Sequence, residues 1–122
     1  MPRKIPAELG RAALRECTLA LAASQTPPRQ PLATAARYLL QVLAERAPGQ
    51  SVEVRVPPFG AVQVIEGPRH TRGTPPNVVE MDAPTWLALA TGDLSWAEAL
   101  TQGWISRSGS RADLTHLLPL QP

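Results

Sequence analysis

Residues 84–120 limit the possible folds more than any other stretch, because local signals divide them into short elements. All three tryptophans of the chain lie here: Trp86, Trp96 and Trp104. A helix over residues 85–91 can end at Gly92, since glycine readily takes the left-handed conformation that closes a helix. Ser95 begins a capping box, which predicts a second short helix that ends at Gly103.

A short strand and a closing helix are predicted for the rest of this stretch. Residues 104–108 can form the strand, before Gly109. Ser110 is a candidate N-cap for the helix that follows. The apolar stripe of that helix, at helical spacing, consists of Leu114, Leu117 and Leu118.

This order of elements resembles the C-terminal half of the sterol-carrier-protein-2 (SCP2) family, in a short single-domain bacterial branch. The matching positions are Thr91 to Leu94, Ala97 to Ala99, Gly103 to Ile105, Gly109 and Leu114 to Leu118. The resemblance implies an α+β fold with a mainly antiparallel twisted sheet of about four to five strands, covered by about four to five helices. The chain departs from the family pattern at Trp104, where long basic or aliphatic side chains are common.

The first half of the chain predicts two helices joined by a proline-rich connection. Residues 7–23 place Leu14, Cys17 and Leu21 on one helical face. Three prolines make residues 24–31 an extended connection, and residues 32–47 form the second helix. We therefore predict an N-terminal helix with its connection over residues 1–31 and an SCP2-like domain over residues 32–122. Together they form one structural domain, although the connection would let the first helix lie apart or against a partner chain.

Alternating valines predict a β-hairpin in the middle of the chain. Residues 51–57 alternate apolar and charged side chains, and residues 61–66 continue the alternation after a Pro-Pro-Phe-Gly turn. A further strand is predicted over residues 78–82. Asp82 then has the position of an N-cap for the helix that carries Trp86.

Composition excludes several classes of function. The net charge is +2 and the basic residues are spread along the chain, which argues against a nucleic-acid-binding surface. A single cysteine, Cys17, cannot form an intrachain disulfide, and we predict a cytoplasmic protein. The uninterrupted apolar run at residues 19–23 is far too short to span a bilayer, so stable membrane insertion is not expected. Richness in Arg, Ala and Pro suggests a bacterial source.

Catalytic chemistry has little support in the sequence. The two histidines, His70 and His116, are far apart, and neither metal-ligand spacing nor a nucleophile motif is present. We predict no catalytic residue, no metal and no cofactor. An enzyme acting on a lipid-like substrate remains open, and it would require His70 and Arg72 to meet Asp82 or Glu80 in one cleft.

The resemblance predicts a non-enzymatic carrier that holds a lipid or fatty acyl chain between the sheet and the C-terminal helices. The predicted ligand-binding residues are Trp86, Leu87, Leu94, Trp96, Leu100, Trp104, Ile105, Leu114, Leu117 and Leu118. Three polar residues of the loop at 69–77, Arg69, His70 and Arg72, are candidates to bind a head group. The tryptophans are compatible with plain core positions as well as with a pocket lining. In the alternative, the core is filled and the protein is a homodimeric structural or interaction protein without a ligand.

Overall fold

A computed structural model describes residues 3–67 and 77–122 of the chain. The elements, in chain order, are α1 (Ala7–Ala22), α2 (Arg29–Arg46), β1 (Val52–Val56), β2 (Gly60–Val64), β3 (Val78–Glu80), α3 (Ala83–Thr91), α4 (Trp96–Thr101), β4 (Ser106–Ser108) and a 3₁₀ turn (Thr115–Leu117). The predicted α+β class is confirmed.

The four described strands form one mixed sheet in the order β2-β1-β3-β4. Strand β1 pairs antiparallel with β2 and parallel with β3, and β3 pairs antiparallel with β4. The predicted hairpin is confirmed, with Val54 opposite Val62 in its register. A mainly antiparallel sheet was predicted, and two of the three pairings are antiparallel.

One face of the sheet is covered and the other faces solvent. The alternation of β1 buries Val52, Val54 and Val56 completely, whereas Glu53 and Arg55 point the other way and form an ion pair. Helix α2 packs over the sheet with its own fully buried leucines, Leu39, Leu40 and Leu43. The principal core therefore lies between α2 and the buried face of the sheet.

Helix α2 begins three residues earlier than predicted. The expectation of an extended chain up to Pro31 is wrong, because α2 starts at Arg29 and takes Pro31 into its first turn. Proline is tolerated there, since the first four amides of a helix have no partner within the helix. Pro28 precedes the helix in an extended conformation.

Helix α1 packs along α2 and also touches α3. Gly10 allows close approach, because a Cβ at this position would lie 2.2 Å from the ring of Tyr38. At the start of the helix, the Gln41 side chain bonds both backbone groups of Ile5, at 2.8 and 3.0 Å. Cys17 lies in this interface with no exposed surface. The first helix is thus joined to the rest of the fold rather than lying apart from it.

The caps of α3 and α4 agree with the sequence. Asp82 accepts a hydrogen bond from the amide of Thr85 at 2.9 Å, and Ser95 accepts one from the amide of Glu98 at 3.1 Å. Helix α3 ends at Gly92, whose φ of 89° is left-handed. Both short helices therefore begin and end where local chemistry predicts.

The predicted closing helix is wrong. Residues 114–118 contain only the 3₁₀ turn, and Asp113 accepts from the Thr115 amide in a local turn. Pro119 disfavours a helical conformation at Leu118, so the apolar stripe has no room to extend into an α-helix. The chain instead runs extended, and the amide of Leu120 bonds the carbonyl of Ala90 at 2.8 Å. The C-terminal segment is thereby attached to α3.

Candidate functional site

The surface of α3 carries two adjoining pockets, which share Ala88 and Asp93. The first lies between α1 and α3 and has a volume of about 220 Å³. Its lining consists of Thr18, Leu21, Ala22, Leu87, Ala88, Thr91 and Asp93. Most of the surface that these residues present in the pocket is apolar.

The second pocket continues past Ala88 toward the start of α3 and the α4–β4 turn. Its volume is about 430 Å³, and it is lined by Asp82, Pro84, Thr85, Ala88, Asp93, Leu94 and Trp104. This volume falls within the range of about 300–1,000 Å³ that is typical of small-molecule sites. We call the two pockets together the α3 groove.

Three of the predicted ligand-binding residues line the α3 groove. Leu87 lies on its floor and is almost fully buried, whereas Leu94 is half-buried on its wall. Trp104 is 51% exposed and borders the second pocket, so it is not a core residue. A half-exposed indole is unusual for a single domain and marks this end of the groove.

The remaining predicted residues lie behind the groove or away from it. Trp86 is fully buried and donates from its indole Nε1 to the carbonyl of Ala36 at 3.2 Å, which joins α3 to α2. The others are buried or half-buried in the same hydrophobic cluster: Trp96, Leu100, Ile105, Leu114, Leu117 and Leu118. The structure thus divides the predicted set into a groove surface and a packed interior.

Trp96 differs from the other two tryptophans in its polar atom. Its indole nitrogen is buried, and among the described residues it has no hydrogen-bond partner. A buried donor without a partner costs about 1–3 kcal/mol of stability. Trp96 therefore contributes apolar area at the expense of an unsatisfied N–H group.

Two carboxylates give the α3 groove its charge. Asp82 is exposed at the start of α3, and its Oδ1 atom is engaged by the Thr85 amide. Asp93 is exposed just after α3 and borders both pockets. Neither pocket has a Lys, Arg or His among its described lining residues.

A basic pocket lies elsewhere, on the first turns of α2. It has a volume of about 420 Å³ and is lined by Arg29, Gln30, Ala33, Arg37 and Phe59. Both arginines are already engaged, because Arg37 donates to the Phe59 carbonyl at 2.8 Å and Arg29 stacks 5.4 Å from the centre of the Phe59 ring. These contacts attach the β1–β2 turn to α2 and give the pocket a structural explanation.

The predicted head-group residues Arg69, His70 and Arg72 lie outside the described residues. Within residues 3–67 and 77–122, no three His, Cys, Asp or Glu side chains converge as a metal site would require. Asp82 and Glu80, which an enzyme would need beside His70, serve as a helix cap and as a sheet residue. Burial raises the pKa of the Cys17 thiol, and the nearby Glu16 carboxylate raises it further, which disfavours the nucleophilic thiolate.

Comparison with known proteins now identifies the family. The model of a family described as a bacterial SCP ortholog matches residues 28–120, which is most of the chain. The chain belongs to the bacterial SCP ortholog family. The SCP2 resemblance is thereby confirmed. The matched region begins just before α2, so α1 lies outside it. A search of curated proteins gives no significant match.

The sequence did not predict that α1 of this SCP-family chain contributes residues to the α3 groove. Leu21 has helical spacing with Leu14 and Cys17 and was assigned to the same packed face, yet it is 36% exposed and borders the groove. Ala88 and Asp93 carry no motif of their own. The available signal was side-chain size, because Ala88 is a small residue on the face of α3 that also carries Pro84, Thr85 and Thr91.

None of the helices within the described residues is both long enough and apolar enough to cross a bilayer. Helix α2, the longest at 18 residues, carries charged side chains along its length.

Proposed function

We propose that this SCP-family chain is a non-enzymatic binding module for an apolar ligand, and that the ligand's hydrocarbon lies in the α3 groove. The observation that carries the proposal is the apolar depression over Ala88, open to solvent between α1 and Trp104. Family membership supports a carrier role. The packed interior favours a surface groove over a cavity between the sheet and the C-terminal helices.

The physical basis is burial of hydrocarbon. Each methylene group that leaves water contributes about 0.8 kcal/mol. Leu21 on one side of Ala88, with Leu94 and Trp104 on the other, presents apolar surface that is otherwise exposed or half-exposed, whereas Leu87 is almost fully buried beneath it. No bond to the ligand is made or broken in this function, which agrees with the absence of a nucleophile motif from the sequence.

Titration with 1-decanol, a neutral ligand with a ten-carbon tail, tests the proposal. We expect saturable binding in isothermal calorimetry, accompanied by a change in tryptophan fluorescence from Trp104. Ala88→Gln places a longer polar side chain on the shared floor and should abolish binding. Ala97→Gln is the matched control, because Ala97 is exposed on α4 and lines neither pocket. Absence of saturable binding to the unmodified protein would exclude the groove as a hydrocarbon site.

A homodimer is the second candidate function, favoured by one observation. Leu9 and Leu19 on the outer face of α1 are 61% and 72% exposed, and α1 lies outside the family-matched region. Exposed leucines indicate a surface covered by a partner where they belong to one contiguous apolar patch. Sedimentation analysis should show a dimer that Leu19→Ser weakens, and a monomer at high concentration would contradict this candidate.

A further inference from the structure

We propose that the α3 groove selects amphiphiles with a cationic head group, such as long-chain alkylammonium ions, over fatty acids. The inference rests on the proposed function and names its ligand class. It follows from three features of the α3 groove: a carboxylate with no ion-pair partner among the described residues, an exposed indole and helix ends that offer nothing to an anion.

The carboxylate is Asp93. It is exposed, borders both pockets and takes part in neither of the two ion pairs found among the described residues, Lys4–Glu45 and Arg55–Glu53. Asp82 adds a second negative charge at the far end of the second pocket. Without a described basic side chain in the lining, a fatty-acid carboxylate would meet two like charges, whereas an ammonium ion would meet two opposite ones.

The indole is Trp104, which lies on the rim of the second pocket with Asp93 and Leu94. Tryptophan has the most electron-rich face among the aromatic side chains, and it attracts ammonium groups within about 6 Å of its ring. Its half-exposed position leaves part of the ring accessible. An aromatic face and a carboxylate that line the same pocket offer a quaternary ammonium group two attractive contacts.

The helix end is the C-terminus of α3. Thr91 is its last residue and lines the first pocket beside Asp93. The carbonyls of Ala88, Leu89 and Ala90 near this end already accept hydrogen bonds from the amides of Leu94, Gly92 and Leu120, so this end adds little attraction for a cation and none for an anion. The opposite end of α3, which would favour an anion, is already capped by the Asp82 carboxylate. Neither end of the helix therefore offers a favourable contact to an anionic head group.

Three probes with the same ten-carbon tail test the inference: decyltrimethylammonium, 1-decanol and decanoate. Calorimetry at pH 7.5, low ionic strength and concentrations below micelle formation should give affinities in that order. We expect the cation to bind about tenfold more tightly than decanoate, as one favourable charge contact near a protein surface would give. Added salt should reduce the difference, because exposed charges are screened.

Asp93→Asn should lower the affinity for decyltrimethylammonium and raise the affinity for decanoate. The two affinities should then differ by no more than about twofold. Glu66→Gln removes an exposed carboxylate that lines neither pocket, so it should leave the tenfold ratio unchanged. Trp104→Phe should weaken the cation more than 1-decanol, because phenylalanine has the weaker cation–π face.

Each outcome has a defined meaning. If 1-decanol binds but decanoate equals or exceeds the cation, the inference is overturned and the proposed function stands. If 1-decanol does not bind, the inference and the proposed function both fail. This holds even if the cation binds, because a site that recognises only charge does not bind hydrocarbon. A ratio that Asp93→Asn leaves unchanged also overturns the inference.

Discussion

The interior under α2 and the surface between α1 and α3 are built from the same leucine- and alanine-rich sequence, yet they differ in how completely they are packed. Under α2, the side chains of Leu39, Leu40 and Leu43 are at most 1% exposed. On α1, Leu9 and Leu19 are largely exposed, and Leu21 borders a groove. Apolar residues thus form the packed core in one region and an open apolar surface in the other.

The difference in packing indicates where this chain can bind a hydrocarbon ligand. A well-packed interior has no room for a hydrocarbon chain unless side chains move, and moving them costs energy comparable to the gain from burial. The α3 groove requires no such rearrangement. The packed leucines of α2 belong to the family-matched residues 28–120 and the exposed leucines belong to α1, although α1 also contributes Leu14 and Cys17 to the core.

The largest expected effect is on the free energy of unfolding, when one indole is removed from each of the two regions. Trp86→Ala should destabilise the fold by about 3–5 kcal/mol, because it leaves a cavity in the core. Trp104→Ala should cost less than about 1 kcal/mol, since its indole is half-exposed. Urea denaturation measures both. Similar values for the two variants would show that the contrast between packed interior and open surface is wrong.

The attachment of α1 to α2 provides the next test. Gly10→Ala places a methyl group 2.2 Å from the Tyr38 ring, so α1 must shift, at a cost of about 1–3 kcal/mol. Gly60→Ala is the matched control, because its nearest neighbour would lie at 3.5 Å. Hydrogen exchange should show faster exchange in α1 and unchanged protection in β1. Uniform loss of protection would mean that α1 and the family-matched region unfold as one unit.

A cap outside the packed interior should have a smaller effect. Ser95→Ala removes the acceptor for the Glu98 amide and should cost about 1 kcal/mol. Ser110→Ala, at the other site where the sequence predicts a cap, should have almost no effect because no α-helix follows it. Thermal denaturation of the two variants measures both losses of stability. Equal losses would indicate that Ser110 stabilises the C-terminal segment.

Those two serines also show how far the sequence could predict the fold. The caps of α3 and α4 are local, involving residues three apart in the chain, and they were predicted correctly. The start at Ser110 has similar local chemistry, but the chain beyond it forms only a 3₁₀ turn and then bonds the Ala90 carbonyl of α3 through the amide of Leu120. Pro119 is a short-range signal against this helix, whereas the contact with Ala90 is tertiary and lies in no short-range pattern.

The candidate site was only partly predictable for the same reason. The sequence identified Leu87, Leu94 and Trp104 through the family resemblance and their apolar character. It could not place Leu21 beside Leu87, because the two residues are brought together only when α1 folds back against α3. Nor could it separate the packed Trp86 from the half-exposed Trp104, since burial depends on which elements cover each side chain.

The smallest expected effect concerns Cys17, the point at which α1 is most completely buried. Its pKa is raised in the fold, chiefly by burial, so the unfolded chain loses its thiol proton first as the pH rises above the ordinary value of about 8.5. Stability should therefore fall as the pH rises above about 8.5, with the small slope that a single thiol can give. Cys17→Ala should lack this part of the pH dependence. If the two proteins show the same slope in urea denaturation, the thiol ionises equally well in both states, and α1 packs against α2 more loosely than the Gly10–Tyr38 contact implies.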